Sequence, residues 1–406
     1  MRRYRRRARP LNLPMPYQLV AAFLTPFKTD DELNRLQRLC RSPDIGWEQL
    51  VFAANTHLCA PLWYVQLAND GLLPLVPIEL QRYLQELYRM NTDRNQSLKQ
   101  ILTDLLNQFN ASGIDAIFLK GAACLCDGLY HGDPGARMLP DADLLVRLKH
   151  LDAAEALMKG MGFVRTAETE SGKATNPARR LRGHHLPRYM LPGTPASIEI
   201  HFKVCSGQAG AVLNPEKCWN NRHPTVLAGE SAFLLNPTDR MLHNALHTLI
   251  QDRGYIRSMV PLYHLAEFVF LSHTYGNGID WKRWNRTAER HHLQHPLNAY
   301  IEIAHHLMNM PYPQHFRSTK RSRFDTARII HGGNHPLRHL NPKTPPSRRA
   351  VGSRIGLMLN CFYYTGLPGW AWQHVTQVLD GASAGKRLIY IAKKISNPRL
   401  RNIYRF

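Results

Sequence analysis

The chain has 406 residues, 44% of them apolar, and a formal net charge of +22; this length and apolar content suffice for two or three structural units and exclude disorder as the main description. The charge excludes a polyanion cradle built into the body of the protein, because it is carried by the ends: six Arg and no acid in residues 1–10, and 17 Lys or Arg against Asp325 and Asp380 alone in residues 311–406. Those ends supply +6 and +15, which leaves about +1 for residues 11–310.

In chain order, a basic arm (1–11) precedes a short apolar run, Tyr17 to Leu24. The run is crowded by Pro10, Pro14, Pro16 and Pro26 and has no small-residue cleavage site, so it does not read as a signal peptide. Residues 12–112 carry apolar positions at helical spacing, as in LQRYLQELYRMNTDRNQSLKQILTDLLNQFN, and predict a helical N-terminal region. The pattern changes at residue 113. GIDAIFLKG reads as a strand, AACLCDGLY as a helix and DADLLVRL as a second strand. LDAAEALMKGMG closes with glycines as a helix does, and FVRTAE, PRYMLP and ASIEIHFKV read as further strands. The fold class expected is α+β: a small mixed sheet within 113–205, flanked by helices. A helical region closing the core follows over 206–310, with Thr238 at a helix start. Residues 311–406, rich in Pro, Arg, His and Gly, read as a basic linker and C-terminal segment. The apolar window 355–372 is broken by Asn360, Gly366, Pro368 and Gly369, which disfavours a membrane-spanning helix and leaves a core or interfacial segment. Seven scattered Cys, at 40, 59, 124, 126, 205, 218 and 361, form no C-x-x-C pair, and fit a reducing cytoplasm.

The chemistry concentrates in LPDADLLV. Asp141 and Asp143 are two apart on a predicted strand, so both carboxylates leave the same face. Two like charges so close call for a cation, and hard oxygen ligands suit magnesium; the alternative is a strand-capping Asp141 beside a solvated Asp143. Lys120-Gly121 ends one strand and opens a helix, where free backbone N–H groups attract phosphate, although a plain strand-to-helix turn has the same sequence. Glu199, between Ile198 and Ile200 in SIEIHFKV, points away from their apolar side and can join the aspartates, with His201 beside it; a solvent-facing Glu is the bland reading. Arg137 can offer two N–H groups to a phosphate or be an ordinary surface Arg. Among 21 histidines, His243 and His247 lie four apart on a predicted helix at zinc-ligand spacing with no third ligand evident, and His184 and His185 are placed for contacts with a triphosphate or acceptor. HHLQH (291–295) and His305-His306 read as polar helix faces.

The run LKGAACLCDGLYHGDPGARMLPDADLLV, then IEIHF, then HNALHTLI, resembles an uncharacterised bacterial nucleotidyltransferase family related to the polymerase-beta-like superfamily. By position, Lys120 and Gly121 match the family's L-K-G, Arg137, Asp141 and Asp143 its R-x-x-x-D-x-D, and Glu199 and His201 its third-carboxylate strand, over about residues 20–270. The resemblance implies a small mixed-sheet catalytic core that binds a nucleoside triphosphate with two magnesium ions on Asp141, Asp143 and Glu199, with Lys120, Gly121, Arg137 and His201 toward the nucleotide. This chain departs from the pattern in several places: Ala122 follows Gly121 where the superfamily usually has Gly or Ser, Pro140 precedes Asp141 where Ser or Gly is common, and Phe202 stands where Trp is frequent. Nineteen residues separate Gly121 from Asp141, longer than is usual in the superfamily, and His264 stands where L-x-D-L-A often has its acid. The function implied is transfer of a nucleoside monophosphate, from ATP by default, to an acceptor: a saccharide, peptide, metabolite or protein. The rival reading is an idle fold acting through its basic ends on a nucleic acid or an anionic membrane surface, and the location expected is cytoplasmic or membrane-peripheral.

Overall fold

The structure, a computed structural model, describes residues 15–165, 183–194 and 197–334; the N-terminal basic arm and the apolar window 355–372 lie outside them. Five helices come first: α1 (Pro16–Leu24), α2 (Asp30–Cys40), α3 (Trp47–Thr56), α4 (Ala60–Asn69) and α5 (Ile78–Ala111). Then follow β1 (Ala116–Leu119), α6 (Lys120–Asp127), β2 (Asp141–Val146), α7 (Leu151–Gly160), β3 (Val164–Arg165), β4 (Tyr189–Met190) and β5 (Ser197–His201). The remainder is α8 (Gly207–Val212), α9 (Pro215–Asn220), β6 (His223–Leu227), β7 (Glu230–Leu234), α10 (Pro237–Leu246), α11 (Gly254–Arg257), α12 (Leu262–Tyr275), α13 (Trp281–Arg290), α14 (Gln294–Met308) and α15 (Lys320–Asn334).

The strands form one mixed sheet in the order β3-β4-β5-β2-β1-β7-β6. β2 runs antiparallel to β1 and parallel to β5, and β1 runs parallel to β7. The fold is α+β. The sheet extends beyond the expected 113–205 because β6 and β7 make a hairpin. Leu227 pairs with Glu230, so the turn is Ala228-Gly229, and both residues have positive φ, 49° and 93°, as a two-residue hairpin that matches strand twist demands. At the other end, the region that reads as a linker contains α15. Its buried face is largely polar: Ser322 donates to Glu302 at 2.6 Å, and Asp325 accepts from Tyr255 at 2.7 Å and Arg321 at 2.8 Å. Residues 291–293 form the turn between α13 and α14 rather than part of a helix face.

The two faces of the sheet differ. Ala142, Leu144, Ile198 and Ile200 pack with the second half of α5 (Leu98 to Phe109) and with α7 into one apolar cluster. The opposite face carries the charged residues of β2 and β5, beside a larger cluster built from α1, α3, α4, α10, α12 and α14. Helix α5, 34 residues and about 51 Å long, serves both: its first half packs with the N-terminal helices and its second half on the sheet. α1 ties the first and last described helices together. The Tyr17 hydroxyl donates to Val260 O at 2.7 Å, the Thr25 hydroxyl donates to Met308 O, and a Cβ on Gly333 would stand 2.7 Å from the Tyr17 ring.

His57 is 3% exposed, packs its ring 4.9 Å from that of Tyr17, and accepts the Leu262 N–H at Nδ1. Burial pushes its imidazole down to about 4. The unfolded chain therefore binds a proton near pH 6.5 that the folded chain refuses until about pH 4, so stability falls as pH drops through that window. The expected loss is on the order of 3 kcal/mol by pH 4, and His57→Phe should flatten the slope of the denaturation midpoint between pH 6.5 and 4; an unchanged slope would show that other groups carry it.

Candidate functional site

The site is built by register. Pairing in the parallel β2–β5 ladder sets Asp143 beside Glu199 and Leu145 beside His201, while β1 sets Leu119 beside Asp143. Because side chains alternate along a strand, Asp141, Asp143, Glu199 and His201 share one face. Lys120 follows Leu119 with φ +48°, a left-handed conformation uncommon in non-glycine residues and characteristic of functional sites when the surrounding structure enforces it.

Asp143 is the hub. Its Oδ1 accepts from Lys120 Nζ at 2.9 Å and lies 2.8 Å from His201 Nε2. Arg188 Nη2 bridges Asp141 Oδ2 at 3.0 Å and Glu199 Oε1 at 2.9 Å. Asp143, Glu199 and His201 are 1%, 7% and 0% exposed, so these charges act in a dry environment where each neighbour matters more than in water. Burial, with the Asp143 and Glu199 charges beside it, pushes the Asp141 carboxyl up to about 6. Burial opposes ionisation of Asp143 too, but the Lys120 ammonium and His201 outweigh it and hold that carboxyl well below its ordinary range. Glu199 is brought down to about 2, where His201 and the His185 and Arg188 charges overcome burial and the Asp143 charge. His201 moves the other way: burial disfavours its proton, and the Asp143 hydrogen bond with Glu199 at 3.7 Å more than restores it. Lys120, half-buried among three carboxylates, is raised above its ordinary range by Asp143 and Asp141 against desolvation.

The family described as uncharacterised nucleotidyltransferase matches residues 43–309, which covers the whole of this sheet and the helices on both sides of it. The chain belongs to that family. No curated protein and no solved structure matches it.

Other features of this nucleotidyltransferase were not evident from its sequence. Arg188 was hidden because its partners are set by pairing: β4 runs antiparallel to β5 with Tyr189 opposite Ile198, which puts Arg188 opposite Glu199. The alternation of R-Y-M, with Tyr189 in the core, carries that signal once the pairing is known. A polar stripe on α5 at helical spacing was also missed. Asn91 donates to Gly135 O at 2.7 Å and Arg137 O at 3.0 Å, Asn95 to Pro134 O at 2.6 Å and Arg137 O at 2.8 Å, and Arg94 to Pro140 O at 3.2 Å. These bonds satisfy the backbone of the 134–140 loop and so position the start of β2.

Arg137 is held by α12. It pairs with Glu267 of α12 at 3.3 Å and stacks its guanidinium 4.5 Å from the Tyr263 ring centre. Gly121 lies against it: a Cβ there would stand 2.4 Å from Leu139 Cδ2 and 3.5 Å from the Arg137 guanidinium carbon. His184 and His185 flank His201 with ring centres 5.1 Å away. Burial and the neighbouring His201 and His185 push His184 down to about 3, leaving it uncharged, and its Nε2 lies 3.1 Å from Gln251 Nε2. His305 stacks on Tyr312 at 3.8 Å, far along the chain from this set.

Proposed function

We propose that the chain transfers a nucleoside monophosphate from a nucleoside triphosphate, ATP by default, to an acceptor oxygen and releases pyrophosphate, with Asp141, Asp143 and Glu199 holding two magnesium ions. The observation that carries this reading is the convergence of three carboxylates on one face of neighbouring strands, in a chain whose family is named for this reaction. Asp143 and Glu199 offer carboxylate oxygens within 4.8 Å of one another and of His201, Asp141 shares a face and the Arg188 contact with Glu199, and hard oxygen ligands of this kind suit magnesium. Bound magnesium would supply charge neutralisation at the α-phosphate and the leaving pyrophosphate.

The chain's own residues do the rest. The acceptor oxygen forms a bond to the α-phosphorus as the bond to the bridging oxygen of pyrophosphate breaks, and the acceptor proton passes to Glu199. Lys120 is within reach of both the carboxylates and a triphosphate lying over them. Arg188, which bridges Asp141 and Glu199, would offer its two-pronged guanidinium to the phosphate oxygens. His201 keeps Asp143 oriented. No side chain of the set reads a base, which is why ATP is the default, and the acceptor is taken from saccharides, peptides, small metabolites or protein side chains.

The test is isothermal titration with a non-hydrolysable nucleoside triphosphate, with and without magnesium. Magnesium-dependent binding by the wild type and its loss in the Asp141→Ala/Asp143→Ala variant are expected. Binding that is indifferent to both magnesium and the substitutions would sink the proposal.

A further inference from the structure

We infer that His247, Asp252 and His264 form a second metal site, suited to a zinc-class divalent ion and separate from the carboxylate set. α10 does not end at Leu246: it continues as a wider five-residue π turn, His247–Gln251, closed by the Asp252 N–H donating to His247 O at 2.9 Å. Such insertions cost hydrogen-bond quality and recur at functional positions. This one brings His247 Nδ1 to 3.2 Å from Asp252 Oδ2. His264 arrives from α12 with its ring centre 5.6 Å from that of His247, and single ligand atoms of the three residues lie within 4.8 Å of one another.

A second, independent observation points to a ligand. His264 Nε2, His247 Nδ1 and His243 Nε2 are buried nitrogens with no hydrogen-bond partner among the described residues, and His264 and His243 are 5% and 3% exposed. The 3.2 Å approach of His247 to Asp252 lacks hydrogen-bond alignment. All three histidines line one narrow cavity. Leaving buried polar atoms unpaired is costly, and a cation accepting the lone pairs of His247 Nδ1 and His264 Nε2 removes that cost for these two. Two imidazoles and one carboxylate suit zinc and its neighbours, whereas magnesium prefers oxygen. A tetrahedral ion holds its ligand atoms roughly 3.4 Å apart, so the His247–Asp252 pair is already spaced for it and the others, within 4.8 Å, need to close by at most about 1.4 Å. Asp252, half exposed in its side chain, leaves an entry path and room for a water as fourth ligand. The same cavity is lined by Lys120, so the ion would brace α10 against α12 behind the residue that meets Asp143. The inference does not depend on the transfer reaction.

The full-length protein is stripped with a chelator, dialysed against zinc or cobalt and passed through gel filtration, after which bound metal is measured by plasma mass spectrometry and cobalt by its visible absorption. One equivalent is expected in the wild type and in Asp143→Asn, with a raised melting midpoint, and loss of that equivalent in His247→Ala, His264→Ala and Asp252→Ala. Asp252 is on the surface, so its variant tests the site even where a buried histidine variant fails to fold. No retained metal in the wild type, an equivalent that survives Asp252→Ala and His247→Ala, or one lost in Asp143→Asn would overturn the assignment, the last by placing the ion on the carboxylate set.

Discussion

Asp143→Asn is expected to lower magnesium-dependent turnover about 10³-fold or more, roughly 4 kcal/mol of transition-state stabilisation, while the circular dichroism spectrum stays that of the wild type. The amide has the volume of the carboxylate, so packing at this 1% exposed position is retained. What disappears is the negative charge on which Lys120 and His201 both converge through Oδ1. Lys120 keeps Asp141 and Glu199 as charged neighbours, which limits the cost to folding. Pyrophosphate release measures the effect, and turnover within about tenfold of the wild type would remove Asp143 from the reaction.

The largest stability effect is expected at Arg240, which meets α6 at the opposite end from Lys120. Its guanidinium is 6% exposed and pairs with Asp127, the last residue of α6; the Tyr275 hydroxyl donates to the same carboxylate at 2.9 Å. Arg240→Met leaves the Asp127 carboxylate buried without its cation, and breaking a buried pair from one side costs roughly 3–5 kcal/mol. For a fold of this size that corresponds to a melting midpoint lower by roughly 5–8 °C. Removing the orphaned charge as well, in Arg240→Met/Asp127→Asn, should recover part of the loss. A single variant that melts within about 3 °C of the wild type would show that the pair contributes little.

Legibility followed the range of the interactions concerned. The Asp141–Asp143 face, the Lys120-Gly121 corner and the outward side of Glu199 depend on alternation within a strand or on one turn, and these local rules could be read directly. The α+β class was legible for the same reason. Arg188 required knowledge of which strand lies beside β5, and the Asn91–Arg94–Asn95 stripe required knowing that a loop some forty residues on would lie against α5; neither follows from spacing alone. The β6–β7 hairpin was obscured because its strands are short and half exposed, with Pro224 in β6 and Val226 60% exposed, so the apolar alternation is weak. α15 was read as linker because what it buries is Ser322, Asp325 and Thr326, residues whose burial depends on specific partners rather than on hydropathy. Arg137 shows the converse: a position singled out by residue type and motif is paired with Glu267, a partner 130 positions later.

The seating of α1 bears on how the protein matures during synthesis. Its partners, Val260, Met308 and Gly333, are made about 240 to 310 residues after it, which at typical elongation rates of 5–20 residues per second is a delay of roughly 10 to 60 s. Throughout that interval Val20, Phe23 and Leu24, fully buried in the finished fold, have no complete surface to cover them. α1, made before every other described helix, is therefore among the last to complete its packing, and the nascent chain carries its apolar stripe uncovered until α14 and α15 emerge.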